Sequence, residues 1–205
     1  MGGPICRTSR ATDRLTCRGD EIIAHGRTNS ERQSTLAEAQ ERQLIMETTS
    51  VIARHEGGAP KGWLGPWIAQ SRATPDLLKE CGYEYLLDWC MDGQPISLET
   101  RAGKMLSVPY PQEINDIPAI AVRRASASEF ADMIVANFAE MLEQADAAPL
   151  VMGIALHPYI MGQPFRLRYL RPAIAEIAGK RDKIWLTHAG AIATHARELA
   201  PGIVP

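Results

Sequence analysis

Apolar positions in this chain fall into two alternating patterns. Short continuous runs occur at EIIAHG (21–26), KGWLGPW (61–67), YEYLLDW (83–89), KMLSVPY (104–110), PLVMGIAL (149–156) and KIWLT (183–187). Runs of this length, bounded by turn residues, predict buried strands. Between them lie stretches with helical spacing. Residues 30–55 place Leu36, Leu44, Ile45, Val51 and Ile52 among strong helix formers, and EGGAP follows as a stop. Ser30 is the expected N-cap there, with Gln33 three residues on completing a capping box. Residues 74–82 predict a short helix capped by Thr74, with Pro75 in its first turn and Gly82 at its end. Residues 126–147 put Phe130, Ile134, Phe138, Met141 and Leu142 on one face. Residues 163–179 and 190–200 complete the helices. Strand and helix alternating in this way predict a parallel α/β sheet, doubly wound or closed into a barrel. Residues 1–20 break the pattern and join no βα unit.

Composition narrows the partners. The 205 residues are 45% apolar and 22% charged, with a formal net charge of −2. That balance offers no electrostatic footprint for nucleic acid or an anionic membrane. No apolar run reaches the roughly 18 residues of a membrane span. The N-terminal stretch lacks the apolar segment of a secretory leader, which points to the cytoplasm. The cysteines (Cys6, Cys17, Cys81, Cys90) match no zinc spacing and read as reduced thiols. No glycine-rich phosphate loop follows any strand, which argues against a nucleotide binder.

In parallel α/β sheets the chemistry gathers at the carboxyl ends of strands. His25 follows the first predicted strand, and Trp63 and Trp67 flank LGP at the second. Asp88, Trp89 and Asp92 follow the third, Gln112, Glu113, Asn115 and Asp116 the fourth. His157 ends the fifth and His188 the sixth. Pro158 has no N–H and biases His157 towards an extended backbone, so the pair ends the strand with an imidazole at the rim. His188 reads as the cap of the last helix, and His55 and His195 as surface residues.

At EIIAHGRTNSE, GWLGPW, YLLDWCMDGQP, LSVPYPQEINDIP and MGIALHPYIMGQPFR the chain resembles the polysaccharide deacetylase, or NodB-homology, family. The likeness is closest to the allantoinase-like, cyclic-amide-hydrolase branch and runs from about Gly19 to the end. It implies a distorted, TIM-like (β/α)7 barrel. It also implies a hydrolase of non-peptide carbon–nitrogen bonds, acting on N-acetylated amino sugars in carbohydrate metabolism or on ring amides. His157 matches the family's late histidine, the acid that protonates the departing nitrogen. His25 matches its first metal histidine. Asn29 stands where the second would fall, and a neutral amide is a poor substitute for imidazole at zinc. The resemblance therefore implies a divalent metal, zinc, with a metal-independent site as the alternative. Pro66 and Trp67 match an aromatic loop, and Asp88–Trp89 an aspartate–tryptophan wall. With Trp63, Asp92, Glu113 and Asp116 they form the expected substrate pocket.

One family feature has no match. The opening strand with its paired aspartates, one of them the base, does not occur in residues 1–20. The expectation is then a fragment, with residues 1–19 non-homologous or disordered and 20–205 a partial barrel lacking its first βα units. Its substrate would be a small molecule or amino sugar, and exposed sheet edges favour a homo-oligomer. The rival expectation is a catalytically inactive truncated barrel that serves as a binding or oligomerisation module.

Overall fold

The computed structural model describes residues 19–200 and 202–205. The segment expected to be non-homologous or disordered, save Gly19, lies outside the described residues. The chain forms two compact units. Among the described residues, one comprises the chain up to Leu86 together with Leu98–Met105 and Thr187–Leu199; the other comprises Leu87–Ser97, Leu106–Leu186 and the described residues from Ala200 on.

In the first unit, helix α1 (Glu38–Glu56) is followed by strand β1 (Gly62–Trp63), helix α2 (Thr74–Glu80) and strand β2 (Tyr85–Leu86). The greater parts of strands β3 (Ile96–Thr100) and β4 (Gly103–Ser107) complete a sheet of order β1-β2-β4-β3, and helix α5 (Ala189–Glu198) closes the unit. β1 and β2 are parallel, with Gly62 opposite Tyr85 and Trp63 opposite Leu86. The first predicted strand contributes one bridge, Ala24 to Trp63, held by Ala24 N–H to the Gly62 carbonyl at 3.0 Å. A Cβ at position 62 would lie 2.2 Å from the Tyr85 ring, so any residue larger than glycine there would have to displace that ring. The core packs Leu44 and Ile45 of α1 against Trp63, Leu77, Leu78 and Tyr83. Trp63 and Tyr83 meet edge to face at 5.4 Å and 88°, the arrangement their ring quadrupoles favour.

Two local expectations are corrected here. Ser30 does not cap the long helix, which begins at Glu38 after Ala37. Gln33 instead turns inward, fully buried, accepting from Trp63 Nε1 and donating to Glu41. Burying that polar network outweighs a surface cap. Thr74 is the first residue of its helix rather than its cap, and its hydroxyl donates to buried Glu41. β3 was not predicted. It pairs with β4 across the two-residue link Arg101–Ala102, and a link that short joins only antiparallel neighbours.

The second unit is mainly helical. Helix α3 (Ala127–Gln144) packs on helix α4 (Pro164–Ala178) through Phe130, Ile134, Phe138, Leu170, Ala173 and Ile177. Ser126 caps α3 in a reciprocal box: its hydroxyl accepts from Glu129 N–H at 3.2 Å, and its own N–H donates to Glu129 at 2.7 Å. The fifth predicted strand (149–156) forms no strand; it contributes one parallel bridge, Asn115–Ala155. The sixth (183–187) carries no strand, and Trp185 and Leu186 there are exposed. An apolar run supplies a tendency to be buried; it does not supply the neighbouring strand that pairing needs. The architecture is thus α/β, and the seven strands implied by the resemblance are represented, among the described residues, by four paired strands and two isolated bridges.

Candidate active site

The second unit brings together two segments predicted to lie at strand ends. Asp116 N–H donates to the Ala155 carbonyl at 3.1 Å, and Ala155 N–H to Ile114 at 2.9 Å. This parallel pairing sets Asp116 beside His157. The Asp116 carboxylate has no exposed surface. Its Oδ1 lies 2.6 Å from His157 Nδ1, and its Oδ2 accepts from the backbone N–H of His157 at 2.8 Å and of Met161 at 3.3 Å. A buried carboxylate is costly unless its oxygens are satisfied, and here one carboxylate takes three donors. The ring nitrogen beside Oδ1 therefore carries the proton in the neutral imidazole. Nε2, on the opposite edge, is left with its lone pair free of that carboxylate. The His157 side chain is 27% exposed, whereas that of Asp116 is fully buried.

The turn after His157 is tightly held. Pro158 fixes its first corner, and Ile160 N–H closes it on the His157 carbonyl at 2.9 Å. A Cβ at position 162 would lie 2.2 Å from the Pro158 carbonyl oxygen, so the chain needs Gly162 to pass. Arg166 Nη1 donates to the Ile160 carbonyl at 3.3 Å. Tyr110 is held within electrostatic reach of Asp116; burial first, then that carboxylate, push its phenol above its ordinary pKa. Neither Tyr110 nor Arg166 was singled out from sequence. Only the Pro-Tyr-Pro and Gln-Pro-Phe-Arg contexts could have marked them.

The remaining expected pocket residues divide. Asp116, expected to touch substrate, is sealed beneath His157. Asp88 is buried, whereas Trp89 is partly exposed, its carbonyl accepting from the Ser107 hydroxyl at 2.6 Å. Asp92 and Glu113 are exposed, and both act electrostatically on Cys90, whose thiol burial pushes up first. Trp63, in the first unit, is fully buried in the core, so its indole packs rather than faces solvent.

The first unit gathers a second cluster. His25 Nδ1 lies 2.5 Å from the Leu64 carbonyl, and the Trp67 indole N–H donates to the Asn29 carbonyl at 2.6 Å. Gly26, at φ +67°, lets Pro66 approach to where a Cβ would lie 2.7 Å from Pro66 Cγ. Trp67 is 62% exposed and sits at φ 63°, a strained conformation for a non-glycine residue, with the Arg32 guanidinium 5.3 Å from its ring. The AHGRTN and LGPW motifs thus form one loop pair. His188 does cap α5, its Nδ1 3.3 Å from Ala191 N–H and 3.1 Å from Glu21 Oε2.

A divalent metal needs several convergent imidazole, thiolate or carboxylate donors. Among the described residues no three such side chains converge. His25 is a lone imidazole, and Asn29 is engaged through its backbone. These residues do not by themselves make a metal site.

Three solved structures share the fold. One is a probable polysaccharide deacetylase from Pseudomonas aeruginosa PAO1, 26% identical with TM-score 0.81, covering 91% of this chain and 63% of its own length. Another is the PuuE allantoinase, 25% identical with TM-score 0.82, covering 92% of this chain and 62% of its own. A third, from Mycobacterium smegmatis and assigned as a polysaccharide deacetylase, is 23% identical with TM-score 0.77, covering 92% and 67%. The chain therefore spans less than two thirds of the length of the first two. No family model and no curated protein matches it.

Proposed function

We propose that this chain, which shares its fold with NodB-like polysaccharide deacetylases, supplies the acid side of a carbon–nitrogen amide hydrolase site. The supporting observation is His157, pinned at Nδ1 by fully buried Asp116 with its ring partly exposed. Breaking an amide C–N bond requires a proton on the departing nitrogen, since an amide anion is a very poor leaving group. Protonated His157 Nε2 donates that proton as the tetrahedral carbon collapses. Asp116 holds the ring in register and counters the charge that the imidazolium carries. Asp116 does not touch substrate, so it is a positioning residue. Activation of the attacking water is assigned to none of the described residues. The relatives are named for deacetylation and for allantoin hydrolysis, so the substrate proposed is a small amide, either an N-acetylated amino sugar or a cyclic ureide.

The test is hydrolysis of both amide classes by purified protein. His157→Ala is expected to lower turnover by about 10²-fold or more, with an unchanged circular dichroism spectrum. Absence of hydrolysis by the wild type, or full turnover by His157→Ala, would overturn the assignment.

A further inference from the structure

Tyr159 is used by nothing described so far. It is the third residue of the turn that begins at His157, and its side chain is 63% exposed. An exposed aromatic ring is unremarkable in itself. This one differs in how it is held. Its ring centroid lies 5.5 Å from that of His157, tilted by 58°. Its backbone is fixed on both sides: the Ile160 N–H closes the turn at 2.9 Å, and Gln163 Nε2 meets the Tyr159 carbonyl at 3.5 Å. The Met161 N–H anchors the same turn to Asp116 Oδ2 at 3.3 Å, the carboxylate that also sets the imidazole. One carboxylate thus fixes both the imidazole and the loop that carries the phenol. A two-χ side chain on a fixed turn loses little entropy when a ligand covers it.

We propose that Tyr159 is a specificity-determining residue whose ring face receives the ring of the substrate and presents its nitrogen to His157 Nε2. The idea rests on the amide-hydrolase reading above and deepens it by naming the residue that seats the ring of such a substrate, whose scissile nitrogen is in, or attached to, that ring. An aromatic face stacks on the C–H face of a sugar and on a planar ureide alike. Acyclic amides have no such face and gain nothing from it. The stack binds the ground state and orients it, so its loss falls on KM more than on kcat.

The experiment uses three probes: N-acetylglucosamine, hydantoin and acyclic N-methylacetamide. Binding is followed by NMR shifts of the His157 imidazole, and turnover is measured in parallel. Tyr159→Ala and Tyr159→Leu are expected to weaken one or both ring probes about five- to tenfold, leaving N-methylacetamide unaffected. Tyr159→Phe is expected to retain ring binding. The leucine variant keeps the turn's bulk, so loss in both variants with retained fold assigns the effect to the ring. The separate responses of hydantoin and N-acetylglucosamine tell which ring the face prefers. Ring binding unchanged in both variants, or an equal loss for the acyclic probe, would overturn the stacking role. Ring binding by the wild type without hydrolysis would leave stacking standing and remove the hydrolase reading. Hydrolysis with ring KM unchanged in Tyr159→Ala would do the reverse.

Discussion

Asp116 has two oxygens and three donors to satisfy, two backbone N–H groups and the His157 Nδ1–H. Asparagine has one acceptor oxygen and an NH2 that must face a donor. Asp116→Asn is therefore expected to lose about 1–3 kcal/mol of stability, read by denaturant unfolding. It should also lower turnover about 10²-fold or more, because the imidazole can then settle in the wrong tautomer. A variant as stable and as active as the wild type would show that the carboxylate does not set the ring. The two members of this pair were not equally legible from sequence. His157 was, because Pro158 restricts the residue before it and makes the strand end visible. Asp116 is expected at a strand end as a substrate contact, whereas it lies buried against the imidazole. Its burial depends on the bridge between Asn115 and Ala155, a pairing across forty residues that no local pattern encodes. Trp63 differs in the opposite sense: an indole at a strand end suits a pocket wall or core packing alike, and it fills the core and satisfies its N–H on Gln33.

At the scale of elements the helices were the legible part. α3 follows from apolar spacing that is local; its Ser126–Glu129 box is equally local chemistry that the spacing alone does not mark. α1 was placed but its start was not, because Gln33 is drawn into a buried network with Glu41, Ser71 and Thr74. Strands fared worse. The run at 149–156 has the composition of a strand and one bridge, while β3 has weaker composition and a full hairpin. Composition reports burial, and pairing depends on what lies alongside. The β1–β2 pair depends on Gly62 beneath the Tyr85 ring. Gly62→Ala forces a methyl to within 2.2 Å of that ring. Overpacking of this kind is expected to cost about 1–3 kcal/mol, seen as a lower denaturant midpoint. An unchanged midpoint would mean that the ring moves freely.

At the scale of the molecule, several carboxylates respond to pH together. Hydrogen bonds and charge from Arg27 hold Glu31 and Glu47 below their ordinary pKa; Arg42 does so for Glu80, and Lys61 followed by Arg197 for Glu84. The Ser126 backbone and hydroxyl lower Glu129. A folded-state pKa below the unfolded one stabilises at pH above the unfolded value of 4.5 and is lost as pH falls through the folded value. The thermal midpoint should therefore fall progressively below about pH 4.5. Burial pushes Tyr83 up to about 12 and, with the Glu21 hydrogen bond, raises Tyr85 further. That contribution is complete below the ordinary tyrosine value of 10.0 and fades as pH rises beyond it. A midpoint flat from pH 3 to pH 12 would contradict both signs. The central claim, that His157 protonates a departing amide nitrogen, is tested most directly by varying the leaving group. His157→Gln and the wild type are compared on an acetylated alkylamine and on the acetyl amide of a nitroaniline. The alkylamine needs the proton and the nitroaniline needs it far less. The account predicts a loss of about 10²-fold or more in kcat/KM for the first and under about tenfold for the second. Equal losses on both substrates, or none on either, would contradict it.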